Sequence, residues 1–266
     1  PERPLPLLPC CFVTGASALA AYALDPQPGD SVLDLCAGPG TKSLALAAML
    51  FGAGPCPASL LETVGQEGGI LEPGTAKAGT FQGRLVCNEP SKPRGTLLEG
   101  ILSSFLPPEM LAKGGPVSVT RHEALDRPPL ALQRLGPFDK VLVDPPCTDA
   151  RAQAFKGQNQ RMEAERDSSK LKKNTDLIDT TLRCAAALVR PGGLIVFCTT
   201  SLQERENDEA VRRFLRRTGN DFEVEAGTKD SPIEGAMCTT HGTMVLPNER
   251  AQHGPLYFVR LRRQRE

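Results

Sequence analysis

Nowhere in the 266 residues does an apolar run approach the roughly 18 residues that a membrane-crossing helix needs, so no such segment is expected. Neither charge is in excess. Lys plus Arg number 31 and Asp plus Glu number 31, which removes a bulk electrostatic attraction to nucleic acid and leaves only local patches. The nine cysteines include no C-x-x-C pair and no ligand-like spacing, which argues against zinc, or any metal, and against a disulfide framework. A reducing compartment follows. There is no internal repeat, and neither a G-x-x-x-x-G-K-[ST] nor a G-x-G-x-x-G string can be written. Because the sequence starts at Pro1 rather than Met, a leader removed before it is allowed for and no targeting signal is read.

What is present suits one large globular domain. A chain of this length with 40% hydrophobic residues buries about three quarters of its unfolded surface. The organising stretch is 31–43, in which Ser31-Val-Leu-Asp34 reads as a strand and Gly38 and Gly40 as a tight loop. Lys42-Ser-Leu-Ala-Leu-Ala-Ala-Met-Leu50 then reads as a helix. Such a loop lets backbone N–H groups approach a ligand, and the helix N-terminus favours negative charge. The alternative is a plain strand-to-helix connection.

Along the chain, 1–30 reads as an extension with a flanking helix at 16–24, and 31–266 as the main domain. The Gly-, Pro- and Ala-rich stretch at about 52–83 reads as a surface insertion. Strands are expected at 84–88, 117–120, 138–144, 194–199, 222–226 and 256–261, and helices at 92–105, 176–189 and 204–217. Residues 148–172 read as a lid or substrate-facing loop, Pro191-Gly192-Gly193 as a turn, and Glu209 as an i,i+4 partner for Arg213. Together these give an α/β, doubly wound, seven-stranded and mostly parallel sheet whose final pair is antiparallel. Basic clusters stand at Lys170, Lys172 and Lys173, at Arg212, Arg213, Arg216 and Arg217, and at the C-terminus.

In such sheets chemistry collects at the C-terminal ends of the strands. Glu89, just past the second strand, serves there either as an acceptor for ribose hydroxyls or as an acid at a helix N-terminus. Asp144 and Cys147 stand at the end of the strongest strand, and Glu123 just beyond the third.

Four stretches resemble the Nop/Sun family of RNA (cytosine-5) methyltransferases. Asp34-Leu-Cys-Ala-Gly-Pro-Gly-Thr-Lys-Ser43 is similar to that family's D-x-C-A-A-P-G-G-K-T, departing at Gly38, Thr41 and Ser43. Asp144-Pro-Pro-Cys147 is similar to D-A-P-C, and Phe197-Cys-Thr-Thr-Ser-Leu202 with Glu206, Asn207 and Glu209 to Y-S-T-C-S-L and an E-N-E cluster. Met244-Val-Leu-Pro-Asn248 and Gly254-Pro-Leu-Tyr-Phe258 resemble the mitochondrial ribosomal-RNA branch of the family. The resemblance implies a Rossmann-like S-adenosylmethionine methyltransferase fold. It places the cofactor on Cys36, Ala37, Gly38, Pro39, Gly40 and Lys42, with the ribose at Glu89, the adenine edge at Glu123, and Asp144 as a contact to the cofactor and to the cytosine ring. Thr41, standing where the family has a glycine, predicts a weakened or empty cofactor pocket. It also implies ribosomal RNA and ribosome-assembly proteins as partners, a helical-repeat partner of the mitochondrial transcription-termination-factor type, and a mitochondrial matrix location.

The family adds a cysteine thiolate to C6 of cytosine so that C5 can attack the methyl group. The matching position here is Thr200, whose hydroxyl has no useful alkoxide population at neutral pH. Cys198 lies two residues and about 6.6 Å back along the strand, too far to replace it, and reads as core. Cys147 is the rival nucleophile, since cytosine-5 DNA methyltransferases use a Pro-Cys cysteine at this place, whereas the RNA family assigns it to product release. Asp-Pro-Pro is also similar to the [DNS]-P-P-[YFW] motif of amino-group methyltransferases, but Cys147 cannot stack on a base as the aromatic residue there does. The sequence therefore predicts a catalytically impaired member serving as an RNA- and protein-binding assembly factor. The alternative is an active enzyme working through Cys147.

Overall fold

The computed structural model describes residues 13–52, 81–148, 160–225, 233, 235–247 and 254–265. The expected insertion at 52–83, the first twelve residues and the stretch 149–159 lie wholly or largely outside these. The chain opens with helix α1 (Gly15–Leu24), whose first turn is capped by the Thr14 hydroxyl accepting from Ser17 N, and which stops at Asp25 in a left-handed conformation before Pro26. Strands β1 (Ser31–Asp34), β2 (Arg84–Asn88), β3 (Val117–Thr120), β4 (Phe138–Val143) and β5 (Val189–Thr199) pair in parallel in the order β3-β2-β1-β4-β5. Their cores read Val-Leu, Leu-Val-Cys and Val-Leu-Val because both sheet faces are covered.

Helices α1, α2 (Thr41–Phe51) and α3 (Lys92–Phe105) cover one face, enclosing Leu19, Leu24, Leu46, Leu98 and Leu102 with Val32, Leu85 and Val196 of the sheet. Helices α6 (Gln160–Leu188) and α7 (Asp208–Thr218) cover the other, where Ile178, Leu182 and Phe214 meet Leu33, Val141 and Phe197. Short helices α4 (Pro108–Leu111) and α5 (Leu130–Leu135) lie in the connections on either side of β3 and were not expected.

Nine strands form the sheet among the described residues rather than seven. Strand β9 (Leu256–Arg263) runs antiparallel to β5, pairs at one end with β6 (Phe222–Val224), and at the other with β8 (Thr243–Val245), which carries β7 (Ala236–Cys238). These two added strands are three residues long, too short for alternation to announce them. The expected antiparallel final pair is present as β6 with β9.

Three further expectations change. Residues 160–172 are helical rather than a loop, forming the first described turns of α6, with Lys170, Lys172 and Lys173 exposed. The glycine turn at 191–193 is absorbed into β5, because Val189 already pairs with Phe138 across an irregularity in register. The helix expected over 204–217 is split into a 3-10 turn (Glu204–Glu206) and α7, and Arg213 pairs with Asp179 on α6 rather than with Glu209, which reaches Arg212 instead.

Candidate active site

The direction of the connections reverses between β1 and β4, so the ends of these neighbouring strands open a crevice. After Asp34 the chain turns through 35–40 into α2. Gly40 has φ 105°, and a Cβ there would stand 2.8 Å from Leu98 Cδ1, so the loop closes against α3 only with glycine. No side chain caps α2, which leaves its first turn to an outside acceptor. Glu89 is buried to 1% exposure and ties the loop to α3. Its Oε2 accepts from Gly38 N at 3.1 Å, and its Oε1 from Ser91 N at 2.8 Å and Arg94 Nη2 at 2.9 Å.

Beneath the loop Asp34 is fully buried. Its Oδ2 accepts from Ser43 Oγ at 2.7 Å, while Oδ1 has no partner among the described residues. Burial pushes its carboxyl up to about 7, outweighing the lowering by Ser43 and Lys42, with the neighbouring Asp144 and Glu89 charges adding to the rise.

Asp144 stands just past β4, with Lys42 Nζ 2.6 Å from its Oδ2. Burial by itself would lower the Lys42 ammonium, but the Asp144 charge and hydrogen bond reverse this and raise it. Lys42 therefore stays charged. The other oxygen of Asp144 accepts from the Cys198 thiol at 3.6 Å, and Cys198 is wholly buried on the α1–α2 side of the sheet.

Thr200, one residue beyond β5, faces a different neighbour: its Oγ1 lies 3.5 Å from Cys147 Sγ. Burial pushes the Cys147 thiol up to about 11 despite hydrogen bonds from Thr200, and Asp144 and Glu206 add to the rise. Glu206, in the 3-10 turn, sits behind this pair with no exposure. Its carboxylate accepts from Thr148 N and Oγ1 and from Asn174 Nδ2, each at 3.0 Å, and from Ser201 Oγ. The loop after β4, the end of β5 and α6 are thereby held to one carboxylate.

A cavity of about 510 Å³ joins these parts. Of the residues singled out by sequence, Cys36, Ala37, Gly38, Pro39, Lys42, Glu89, Glu123, Asp144, Cys147 and Thr200 line it. Gly40 is buried behind the wall. Sequence reasoning missed Arg94, Leu177 and Thr181 on the wall, and it named Glu206, behind the wall, only as part of a motif without a role. The Arg94 signal was available, since it lies five residues past an acid at a strand end. Leu177 and Thr181 gave none, because which side of α6 faces the crevice follows from packing.

The family described as 16S rRNA methyltransferase RsmB/F matches residues 120–262. The mitochondrial tRNA (cytosine(34)-C(5))-methyltransferase of Mus musculus is 30% identical over 258 residues, 95% of this chain and 63% of that protein. The 5-cytosine rRNA methyltransferase NSUN4 of Bos taurus is 28% identical over 267 residues, 97% of this chain and 60% of that protein. The chain thus spans less than two thirds of the length of these curated relatives. In solved structures, NSun6 from Pyrococcus horikoshii with SFG has the same fold, with a TM-score of 0.63 at 19% identity over 95% of this chain and 53% of that one. The expected likeness to ribosomal-RNA members of the family is met, and the mitochondrial tRNA enzymes stand beside them.

Proposed function

Because the chain belongs to the RsmB/F, or Nop/Sun, family of RNA methyltransferases, we propose that it holds S-adenosylmethionine and RNA but is impaired in cytosine C5 transfer. On this reading it acts as an RNA- and protein-binding factor in assembly of the mitochondrial large ribosomal subunit, with a helical-repeat protein among its partners. The observation that carries the reading is the Thr200 hydroxyl beside Cys147 on the cavity wall, with the Cys198 sulfur turned into the core.

The residues present fit the cofactor. The cavity is of the size small-molecule sites have, the first turn of α2 is uncapped, and residues 36–39, Thr41 and Lys42 of the loop and helix start line it. Residues 36–42 and Glu89 would hold it, with Glu123 also on the cavity wall. When bound, S-adenosylmethionine supplies an electrophilic methyl group on a sulfonium.

The chain's own groups bind and orient. Lys42 holds the Asp144 side chain in place, so that its carboxylate can accept from the amino group of a cytosine. A nucleophile is what the site lacks. With its thiol pushed up to about 11, Cys147 has on the order of one thiolate in ten thousand at pH 7, and the Thr200 hydroxyl has fewer alkoxides still.

The test is covalent trapping on RNA containing 5-fluorocytidine, with S-adenosylmethionine present. The purified chain should give no adduct, and Thr200→Cys should form one, because it places sulfur where the hydroxyl now stands. An adduct formed by the unaltered chain and lost in Cys147→Ser would instead establish an active enzyme working through Cys147.

A further inference from the structure

We propose that the α6 stripe formed by Lys170 and Lys173 is the phosphate-binding ledge for RNA entering the crevice, a proposal that rests on the RNA-binding reading above. On α6, Leu177 and Thr181 form part of the cavity wall. At 100° per residue, Lys170, Lys173, Leu177 and Thr181 fall within an arc of about 80°, so the two ammonium groups continue the line of the wall outward. Lys170 lies about 10 Å along the axis from Leu177, within reach of nucleotides flanking one seated in the cavity.

The electrostatics fit a polyanion. Lys170 and Lys173 are exposed and take part in none of the ion pairs among the described residues. Among the described residues, two nearby acids are already paired, Asp126 with Arg183 and Asp179 with Arg213. Exposed Asp176 projects about 60° outside the arc, and Glu123 is the one exposed carboxylate on the cavity wall. The net charge of the chain is zero, so attraction to phosphate has to come from a local arrangement of this kind. A strand whose base occupies the cavity must leave across its rim, and α6 provides cations there.

Lys172 supplies the internal control. It is exposed and lies between the two ledge residues in sequence, yet it projects about 140° from the centre of the arc, on the side of Asp179 and α7. Removing its charge alters the long-range field about as much as removing a ledge charge does, without touching the ledge.

The experiment measures binding of a fluorescently labelled single-stranded RNA oligonucleotide by anisotropy between 0.05 and 0.3 M salt, roughly the range over which phosphate contacts are resolved. It uses the full chain, Lys170→Gln/Lys173→Gln, and Lys172→Gln. Two lost phosphate contacts should weaken binding about 25-fold at 0.1 M salt and reduce the slope of log K against log salt by about 1.4. Lys172→Gln should change affinity less than about twofold. Equal effects of the double and Lys172 variants, or an unchanged double variant while the parent binds RNA, would overturn the ledge and leave the RNA reading standing. A parent that binds no RNA would remove both. Loss of poly-glutamate binding in the double variant with RNA binding intact would assign the stripe to an acidic protein and also overturn the proposal.

Discussion

Replacing Glu206 should loosen the floor of the site more than any other single change outside the cavity wall. Its carboxylate satisfies the Thr148 amide, the Asn174 amide nitrogen and two hydroxyls, all of them on buried residues. In Glu206→Ala the hydroxyls of Thr148 and Ser201 can turn elsewhere, but the Thr148 N–H and the Asn174 Nδ2 lose the acceptor that the structure gives them. Each orphaned buried donor costs about 1–3 kcal/mol, and the emptied volume adds to this, so a loss of roughly 3–6 kcal/mol is expected. Against a typical total of about 5–15 kcal/mol, that variant can approach global unfolding. Glu206→Gln is the better probe. It keeps one acceptor oxygen, lets Ser201 accept from the new amide, and should cost about 1–3 kcal/mol. Urea unfolding of the purified chain measures the loss. Modification of Cys147 by a thiol reagent in the native state, followed by peptide mapping, should accelerate because Thr148 is freed beside it. A Glu206→Gln change of under about 0.5 kcal/mol with Cys147 modified at the parental rate would refute the assignment of this carboxylate as the clamp.

Two pH experiments follow from the buried groups. Asp34 has its carboxyl raised to about 7, so the folded state holds a proton that the unfolded chain gives up near pH 4. Stability should therefore fall as pH rises between about 4 and 7 and then level off. Asp34→Asn should remove that slope and exceed the parent at pH 8 by up to about 4 kcal/mol in urea unfolding. A parent more stable at pH 8 than at pH 5, with the slope unchanged in Asp34→Asn, would contradict this. Alkylation of Cys147 by iodoacetamide should accelerate about tenfold per pH unit from 7 to 10, because the reactive thiolate remains a small fraction below its value of about 11. A rate that levels off by about pH 9 would mean a thiol not raised above the ordinary value and would reopen catalysis through Cys147.

Much of the architecture was legible because it is written at short range. The strand at Arg84–Asn88, the helix at Lys92–Phe105 and the loop bearing Gly38 and Gly40 were each predictable from apolar periodicity and glycine placement. The failures came where local pattern and tertiary pairing part company. Residues 160–172 look like solvent-facing loop because they are polar, but they propagate a helix anchored further on by Ile178 and Leu182. The β7–β8 hairpin has little alternation to show. It is held instead by Asp208, which accepts from Thr239, Thr240, His241 and Tyr257.

By itself the sequence determined the class of sheet, the strand ends at which chemistry gathers, the absence of sulfur at position 200, and the family. These depend on residue identity and on spacing within single elements. Only the tertiary structure decided that Thr200 meets Cys147 across 53 residues of chain, that Cys198 serves Asp144 from the core, and that one face of α6 becomes cavity wall. The physical reason is that those contacts depend on the register between strands and on which side of each element is buried. Both are properties of the packed sheet as a whole, set by the pairing of β4 with β5 and the closing of helices over its two faces.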